Sequence, residues 1–310
     1  MNYIPVVFAL DDNYAMPTAV AITSMIINKN YETCYKCYMI TPGLSTYHYN
    51  KIKSLEQADC MIEIITNPSV LKGKSASLEK VTSTDYYRLM LDTLINEDKI
   101  IALDGDLLIL DDLTELYNIN LEENIIGGCY YRPHNIYHRK YVQETLKLDE
   151  GKRINIGVML IDLKKIREKN LQPEFINNIG KFKVMSEDII NYVCKDKIKY
   201  IPLKYNYNLH FYKYKKLLKN DPIYSSKEYK SAEKNPAIFH YTLDKPWKVK
   251  GIPKSNLWYQ YLKKSPYKDA KFSLKSNNYF FINDHNRIKI NIFGIKLSIS
   301  KNSQKFKVKN

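Results

Sequence analysis

The sequence predicts an α/β protein with a mostly parallel, mixed sheet and a small basic appendage at the C-terminal end. Short apolar runs alternate with helical patterns from the start of the chain, which is the pattern of a parallel sheet covered by helices. At 310 residues the chain exceeds one average domain. The composition changes at about Pro266, so we expect one domain over residues 1–265 and an appendage over 266–310.

The first elements follow from apolar runs bounded by polar loops. Residues 4–10 contain paired valines and predict a buried strand, and a polar loop with Asp11 and Asn13 precedes a helix that Pro17 opens and that runs to about Asn28. The next patterns predict a strand, a helix and a strand over residues 35–40, 45–57 and 61–66. Cys34 and Cys37 are predicted to be strand cysteines, because no second pair or nearby histidine completes a zinc site.

The middle of the chain continues the alternation. Thr84 caps a predicted helix on which Arg88 lies off the apolar face, so its guanidinium is available to a ligand. A strand over residues 99–103 ends directly at Asp104-Gly105-Asp106. The later predictions are strands at 107–110 and 155–161, a helix from about Ser186, and a strand at 200–203 before a Tyr-Asn-Tyr-Asn cluster.

The charge of the chain limits its partners. A formal net charge of +15 favours an anionic partner: nucleic acid, anionic lipid or a phosphorylated substrate. Zinc-finger spacing, ribonucleoprotein aromatic motifs and a basic zipper region are absent from the sequence, so nucleic acid is not expected. The sequence also shows no signal peptide and no run of about 18 apolar residues, and its five cysteines are an odd number. We therefore expect a cytoplasmic protein with free thiols.

Two motifs carry groups that can bind a metal and a phosphate. Asp104 and Asp106 follow a predicted strand with one glycine between them, so both carboxylates can approach one divalent cation, although aspartates in this position often only cap a turn. His240 follows a second apolar run and precedes Lys245 in the segment His-Tyr-Thr-Leu-Asp-Lys-Pro-Trp. Imidazole is a suitable ligand for manganese, and an ammonium group for phosphate.

Five blocks of sequence together resemble glycosyltransferase family 8. They occur in the family's order between residues 4 and 250, and the likeness is to bacterial lipopolysaccharide α-galactosyl- and α-glucosyltransferases with the GT-A fold. The blocks are Phe-Ala-Leu-Asp-Asp-Asn-Tyr at 8–14, Tyr-Arg-Leu at 87–89, Leu-Asp-Gly-Asp at 103–106, Asn-Ile-Gly-Val at 155–158 and His240 to Trp247.

The resemblance implies a retaining transfer of galactose or glucose from a UDP-sugar to a surface-glycan acceptor, such as a lipid-linked oligosaccharide or lipopolysaccharide core. It implies that Asp104, Asp106 and His240 hold Mn²⁺, with Mg²⁺ as the alternative. The implied donor site comprises Ala9, Asp11, Asn13, Arg88, Leu103, Asp104, Gly105 and Lys245. The implied catalytic residues are Arg88, Asn155, Glu187 and Asp188.

Two positions depart from the family's pattern. Ser186-Glu187-Asp188 stands where relatives commonly show Asp-Gln-Asp, and a serine followed by acidic residues is equally the usual start of a helix. Leu243 stands where many relatives have a glycine before the lysine, which puts backbone contacts to phosphate in doubt. Glu187 is the one candidate for a nucleophile in a double displacement, and same-face attack on the sugar is the mechanism we favour.

The basic C-terminal region predicts either a membrane contact or a solvated hairpin. Isoleucines at 288, 290 and 292 alternate with polar residues, Phe293-Gly294 interrupts the pattern, and the alternation resumes, as in a hairpin. We expect the region to contact the anionic inner face of the cell membrane, where a lipid-linked acceptor would lie. The alternatives for the whole protein are a UDP-sugar-binding or membrane-adapter module on the same fold and a phosphotransferase, which would leave the Trp247 segment unexplained.

Overall fold

The computed structural model describes residues 3–66, 83–131, 136–148, 153–182, 185–213 and 221–275, together with four strands between 282 and 309. The chain divides into two compact units. Met1–Leu243 and Gln260–Asp269 form the first, and Asp244–Tyr259 and Ala270–Asn310 form the second.

The strands of the first unit are short and mostly buried, as their β-branched and aromatic residues favour. They are β1 (Ile4–Ala9), β2 (Tyr35–Thr41), β3 (Cys60–Thr66), β4 (Lys99–Leu103), β5 (Leu107–Ile109), β6 (Ile126–Tyr130), β7 (Ile154–Asp162), β8 (Ile198–Tyr200), β9 (Tyr207–Asn208) and β10 (Ile238–His240). Seven of them form one sheet in the order β3-β2-β1-β4-β7-β6-β8. Strands β3, β2, β1 and β4 are parallel and β7 is antiparallel to both its neighbours, so the predicted mixed, mostly parallel sheet is confirmed.

The described helices are α1 (Asp12–Asn28), α2 (Thr46–Lys53), α3 (Ser83–Tyr86), α4 (Leu91–Leu94), α5 (Thr114–Tyr117), α6 (Ile136–Glu144), α7 (Leu163–Glu168), α8 (Gln172–Asn177), α9 (Met185–Val193), α10 (Leu209–Lys213), α11 (Ser226–Lys234) and α12 (Ser255–Leu262). Two 3₁₀ helices span Tyr87–Met90 and Leu203–Asn206. Among the described residues, no helix combines the length and the apolar character needed to cross a membrane.

Several predicted boundaries were wrong, among them the end of the helix predicted over 45–57, which ends at Lys53. Helix α1 begins at Asp12 rather than at Pro17, because the Asp11 side chain accepts the backbone N–H of Tyr14 at 3.1 Å and caps the helix there. Strand β8 ends at Tyr200, and the predicted strand at 200–203 gives way to the 3₁₀ helix that follows Pro202. The helix predicted with Thr84 as its cap already begins at Ser83, so Thr84 lies inside it.

A second, three-stranded sheet in the order β5-β10-β9 brings distant segments together. Strand β10 is antiparallel to β5 and parallel to β9. In this register His240 lies opposite both Leu107 and Asn208. The histidine is therefore fixed beside the residue that directly follows Asp106.

A bulge interrupts the pairing of β6 with β7. The register shifts between Gly128, which pairs with Met159, and Cys129, which pairs with Asn155. The buried side chain of Asn191 on α9 pairs with the main chain of β7 here: its Oδ1 accepts from Ile154 N at 2.8 Å and its Nδ2 donates to Ile154 O at 3.0 Å. Because bulges turn side chains out of the regular alternation, this one sets where Asn155 lies.

The second unit contains a four-stranded antiparallel sheet. Its strands are β11 (Ile282–Asp284), β12 (Arg287–Ile292), β13 (Ile295–Ser300) and β14 (Phe306–Lys309), in that order. Ile292 pairs with Ile295, so the predicted hairpin is present, and its Phe293-Gly294 turn lies outside the described residues. In the same unit the rings of Trp247 and Trp258 lie 5.3 Å apart.

Replacing Asn191 with leucine should destabilise the fold. The change leaves the N–H and the C=O of Ile154 buried without a partner, and each such group costs about 1–3 kcal/mol. We expect the free energy of unfolding in urea to fall by about 2–4 kcal/mol. The exposed Asn118→Ala variant is the control, with an expected change within about 0.5 kcal/mol. Equal stabilities of the two variants would contradict the role assigned to Asn191.

Candidate active site

The segment Asp104-Gly105-Asp106 joins β4 to β5 and is held by the main chain on both sides. Asp104 N donates to Gly157 O at 2.9 Å, and Tyr241 N donates to Asp106 O at 3.0 Å. These bonds come from β7 and from the residue after β10. The two aspartates are thus fixed by strands that are far apart in the sequence.

His240 completes a cluster with the two aspartates. Its Nε2 lies 3.1 Å from Asp106 Oδ1 and 3.5 Å from Asp104 Oδ2, and ligand atoms of the three residues all lie within 4.8 Å of one another. Burial alone would lower the pKa of His240, but the carboxylates of Asp106 and Asp104 outweigh it and raise that pKa to about 8. The three residues that the sequence proposed as metal ligands are therefore brought together by the fold.

The residues of this cluster fit a divalent cation. Two carboxylates and an imidazole are a donor set that suits Mn²⁺. A side chain at Gly157 would overlap His240 and Asp104, and one at Gly105 would overlap the hydroxyl of Thr18. Glycine at 157 keeps the space beside the Asp104 carboxylate and the imidazole open, and glycine at 105 lets the aspartate segment pack closely against α1.

Arg88 lies beside the acidic pair. It belongs to the 3₁₀ helix Tyr87–Met90, and its guanidinium forms an ion pair with the carboxylate of Asp104. Burial opposes the charge of Arg88, yet Asp104 and Asp85 outweigh it and raise the pKa of Arg88. Arg88 is therefore cationic at the site, as a contact to the phosphate or sugar of the donor requires, and that contact stays a prediction.

The first loop reaches the same edge of the sheet as the aspartates. Strand β1 is parallel to β4, and Phe8 pairs with Leu103. Ala9 at the end of β1 and Asp11 just after it therefore lie at the edge of the sheet at which β4 ends.

 Asn13 is exposed, and its Nδ2 donates to Asp11 Oδ2 at 3.2 Å. The nucleotide contacts of Ala9, Asp11, Asn13, Leu103 and Gly105 stay predictions.

Tyr14 is a site residue that the sequence reasoning did not single out. Burial and the nearby carboxylates of Asp106 and Asp104 raise its pKa, so its phenol is neutral beside the acidic pair. Its only signal in the sequence is its place at the end of the Asp-Asp-Asn-Tyr run.

A second cluster of polar residues lies around Asn155. Asn155 Nδ2 donates to Glu187 Oε2 at 3.0 Å, and the other carboxylate oxygen of Glu187 forms an ion pair with Arg153. The buried Arg153 also lies 3.6 Å from Asp188, whose second oxygen accepts the hydroxyl of Tyr141 at 2.6 Å. Arg153 and Tyr141 lie outside the five blocks of sequence, so the sequence alone does not predict their place in this cluster.

The acidic residues at the start of α9 do more than begin a helix. The helix starts at Met185, so Ser186 is not its cap, and the backbone N–H of Ser186 donates to Asp85 Oδ2 at 3.0 Å. Glu187 and Asp188 instead face Arg153. Of the two alternatives for this segment, the one with Ser186 as a helix cap was therefore wrong, and the catalytic roles of Glu187 and Asp188 stay predictions.

Lys245 lies in the second unit. Its carbonyl oxygen accepts the backbone N–H groups of Lys248 at 2.9 Å and Val249 at 3.0 Å, which closes a turn after Pro246. Its predicted contact to the diphosphate of a donor stays a prediction.

The chain is similar to several bacterial proteins. It is 25% identical over 282 residues to General stress protein A of Bacillus subtilis, covering 87% of this chain and 92% of that protein. It is also 25% identical over 276 residues to the Lipopolysaccharide 1,2-glucosyltransferase of Escherichia coli K12, covering 85% of this chain and 79% of that protein.

Solved structures share the fold. The apo structure of the bifunctional glycosyltransferase WbbM superposes with a TM-score of 0.76 at 18% identity, over 86% of this chain and half of that one. The galactosyltransferase LgtC, in complex with donor and acceptor sugar analogs, gives a TM-score of 0.68 at 21% identity, over 84% of this chain and 96% of that one.

The family model matches nearly the whole of the first unit. The model described as glycosyl transferase family 8 covers residues 5–251, which include the aspartate pair, Asn155, Glu187 and His240. The protein therefore belongs to glycosyltransferase family 8, is a glycosyltransferase, and has the GT-A fold of the family's solved structures.

Proposed function

We propose that the protein is a retaining, Mn²⁺-dependent hexosyltransferase. It moves galactose or glucose from a UDP-sugar to a hydroxyl of a lipopolysaccharide or other surface-glycan acceptor and forms an α linkage. The observation that carries the proposal is the cluster of Asp104, Asp106 and His240 at the edge of the sheet, with Gly157 leaving space beside the imidazole and Asp104. The relatives named as a lipopolysaccharide glucosyltransferase and a galactosyltransferase support this choice of sugar and acceptor.

Different residues of the site are assigned to the metal, the phosphates, the uridine and the transferred sugar. Bound by Asp104, Asp106 and His240, Mn²⁺ would supply positive charge against the diphosphate that leaves. Arg88 and Lys245 are the cations that we assign to the phosphates, and both stabilise negative charge that grows as the anomeric bond breaks. Ala9, Asp11 and Asn13 would bind the uridine, and Asn155 would orient the transferred sugar.

The surroundings of Glu187 favour attack by the acceptor on the same face from which UDP leaves. One carboxylate oxygen of Glu187 is paired with Arg153 and the other accepts from Asn155. A nucleophile in a double displacement needs a carboxylate oxygen directed at the anomeric carbon. In this arrangement Glu187 serves instead to hold Arg153 and Asn155 in place.

Release of UDP from a panel of UDP-sugars tests the function without knowledge of the acceptor. We expect one UDP-hexose to be hydrolysed only when Mn²⁺ is present. Asp106→Ala should reduce this activity by at least about 100-fold, because the growing charge on the diphosphate loses its stabilisation. The exposed Asp196→Ala variant is the matched control and should be as active as the wild type.

Measuring the binding of UDP-sugars to the same samples tests the alternative function, a module that binds UDP-sugars without turning them over. Metal-dependent binding of a UDP-sugar without turnover, in the presence of candidate acceptors, would indicate a UDP-sugar-binding module on the same fold. Failure of every UDP-sugar to bind would contradict the proposed function.

Glu187→Gln tests the mechanism. The amide keeps the size of the side chain and one of its two contacts, so we expect turnover to remain within about tenfold of the wild type, whereas loss of a nucleophile costs on the order of 10⁴-fold or more. The measurement is steady-state UDP release with the preferred donor, and the exposed Glu168→Gln variant is the control. A loss as large as that of a nucleophile would contradict same-face attack.

The sheet of the second unit supports a contact with an anionic membrane surface. In the register of β12, β13 and β14, Lys289 pairs with Ser298 and Ser298 with Lys307, while Lys296 pairs with Lys309. Since paired residues share a face and alternate residues along a strand do too, these basic residues and Arg287 lie on one face of the sheet. We propose that this face contacts the inner leaflet of the cell membrane, close to a lipid-linked acceptor, which would make the protein cytoplasmic and peripheral.

Reversing charges on that face tests the contact. Each basic residue near an anionic surface contributes about 1 kcal/mol, so changing Lys289, Lys296 and Lys307 to glutamate should weaken binding to phosphatidylserine-containing liposomes by on the order of 100-fold or more. The matched control carries the same change of net charge at the exposed Lys169, Lys227 and Lys230. Liposome binding is measured by co-sedimentation, and equal binding of the two triple variants would refute the contact.

A further inference from the structure

Asn206 joins the metal cluster to the residues around Asn155. It is fully buried at the end of the 3₁₀ helix Leu203–Asn206. Its Oδ1 lies 3.0 Å from Nδ1 of His240, and its Nδ2 donates to Oδ1 of Asn155 at 2.9 Å. The residue belongs to the Tyr-Asn-Tyr-Asn cluster at 205–208, to which the proposed function assigns no role.

The direction of these hydrogen bonds is fixed at the end far from the metal cluster. The carboxylate of Glu187 only accepts, so Asn155 must turn its Nδ2 towards Glu187. The backbone N–H of Gly157 donates to Asn155 Oδ1 at 3.2 Å and fixes the same orientation independently. Asn155 Oδ1 therefore accepts from Asn206 as well, and Asn206 must present its Nδ2 to Asn155.

The orientation of the Asn206 side chain then decides whether Nδ1 of His240 carries a hydrogen. With Nδ2 turned to Asn155, the carbonyl oxygen of Asn206 faces His240 Nδ1. A carbonyl oxygen only accepts, so Nδ1 must carry a hydrogen. The other ring nitrogen, Nε2, faces Asp106 and Asp104 and is the one that can bind a cation.

We propose that Asn206 is a positioning residue that keeps a hydrogen on Nδ1 of His240, so that Nε2 is offered to the divalent cation. The proposal rests on the proposed function, because it assumes that Asp104, Asp106 and His240 bind a metal. It also assigns Glu187 and Gly157 an indirect part, since they fix the direction of the hydrogen bonds that end at the imidazole. Hydrogen-bond partners of this kind orient the ligating histidine and raise its affinity for the metal.

Asn208 offers a matched control in the same buried segment. Its Oδ1 accepts the backbone N–H groups of His210 at 3.0 Å and Phe211 at 3.4 Å, and so caps α10. In Asn208→Ser a side-chain oxygen that can cap a helix is retained. This variant perturbs the segment without removing a bond to His240.

The experiment titrates the wild type and the variants with Mn²⁺ alone and follows free Mn²⁺ by electron paramagnetic resonance, with thermal unfolding of each sample as the check on folding. Asn206→Leu should weaken Mn²⁺ binding by about 10- to 100-fold. Asn206→Asp keeps an acceptor for Nδ1–H but loses the donor to Asn155, so it should keep most of the Mn²⁺ affinity and lose turnover. Asn208→Ser should bind Mn²⁺ like the wild type.

The outcomes separate the positioning role from the proposed function. If the wild type binds Mn²⁺ and Asn206→Leu binds it equally well, the positioning role is wrong while the metal-dependent function stands. The positioning role would also be wrong if Asn208→Ser weakened Mn²⁺ binding as much as Asn206→Leu does, or if Asn206→Asp weakened it equally. If the wild type binds no Mn²⁺, the metal-dependent function fails and the inference fails with it. Asn206→Ala takes the place of Asn206→Leu should the latter not fold.

Discussion

The pairing of β10 between β5 and β9 is the constraint on which the candidate active site depends. Strand β10 has only three residues, yet its two neighbours determine its register completely. Pairing with β5 sets His240 beside the aspartate segment, and pairing with β9 sets it beside the segment that carries Asn206. Backbone hydrogen bonds are local and directional, so a short central strand is enough to fix a histidine to within hydrogen-bonding distance of three other side chains.

Charge balance explains why the polar residues of the site come in groups. Asp104 and Asp106 face His240 and Arg88, and Glu187 and Asp188 face Arg153. An unpaired charge is costly to bury, so each carboxylate near the sheet edge is accompanied by a cation or a hydrogen-bond donor. The same pairing removes the freedom of these side chains to rotate, which suits a site that must present fixed ligands to a metal and a sugar.

The main sheet departs from regular strand geometry near Asn155, close to the proposed catalytic residues. The bulge between β6 and β7 lies opposite Asn155, and the glycine two residues later leaves the space that His240 and Asp104 fill. Asn191 supplies hydrogen bonds to the main chain of β7 at this point. A regular strand with a larger residue at position 157 could not bring Asn155, Asp104 and His240 so close together.

The sequence by itself determined the fold class and most strands, and its resemblance to glycosyltransferase family 8 supplied the three proposed metal ligands. It could do so because buried strands are read from apolar runs, and because aspartates after a strand end at the edge where parallel strands present ligands. The start of α1 and the end of β8 were missed, since the Asp11 cap and a following 3₁₀ turn override the apolar pattern locally, and α3 begins before the predicted cap Thr84. Only the tertiary structure decided that Arg153, Tyr14 and Asn206 belong with the site. Tyr14 ends the first block, Arg153 lies two residues before Asn155, and Asn206 lies outside the five blocks. Their places in the site depend on hydrogen bonds, ion pairs and close approaches between distant segments, which form only when the sheets have brought those segments together.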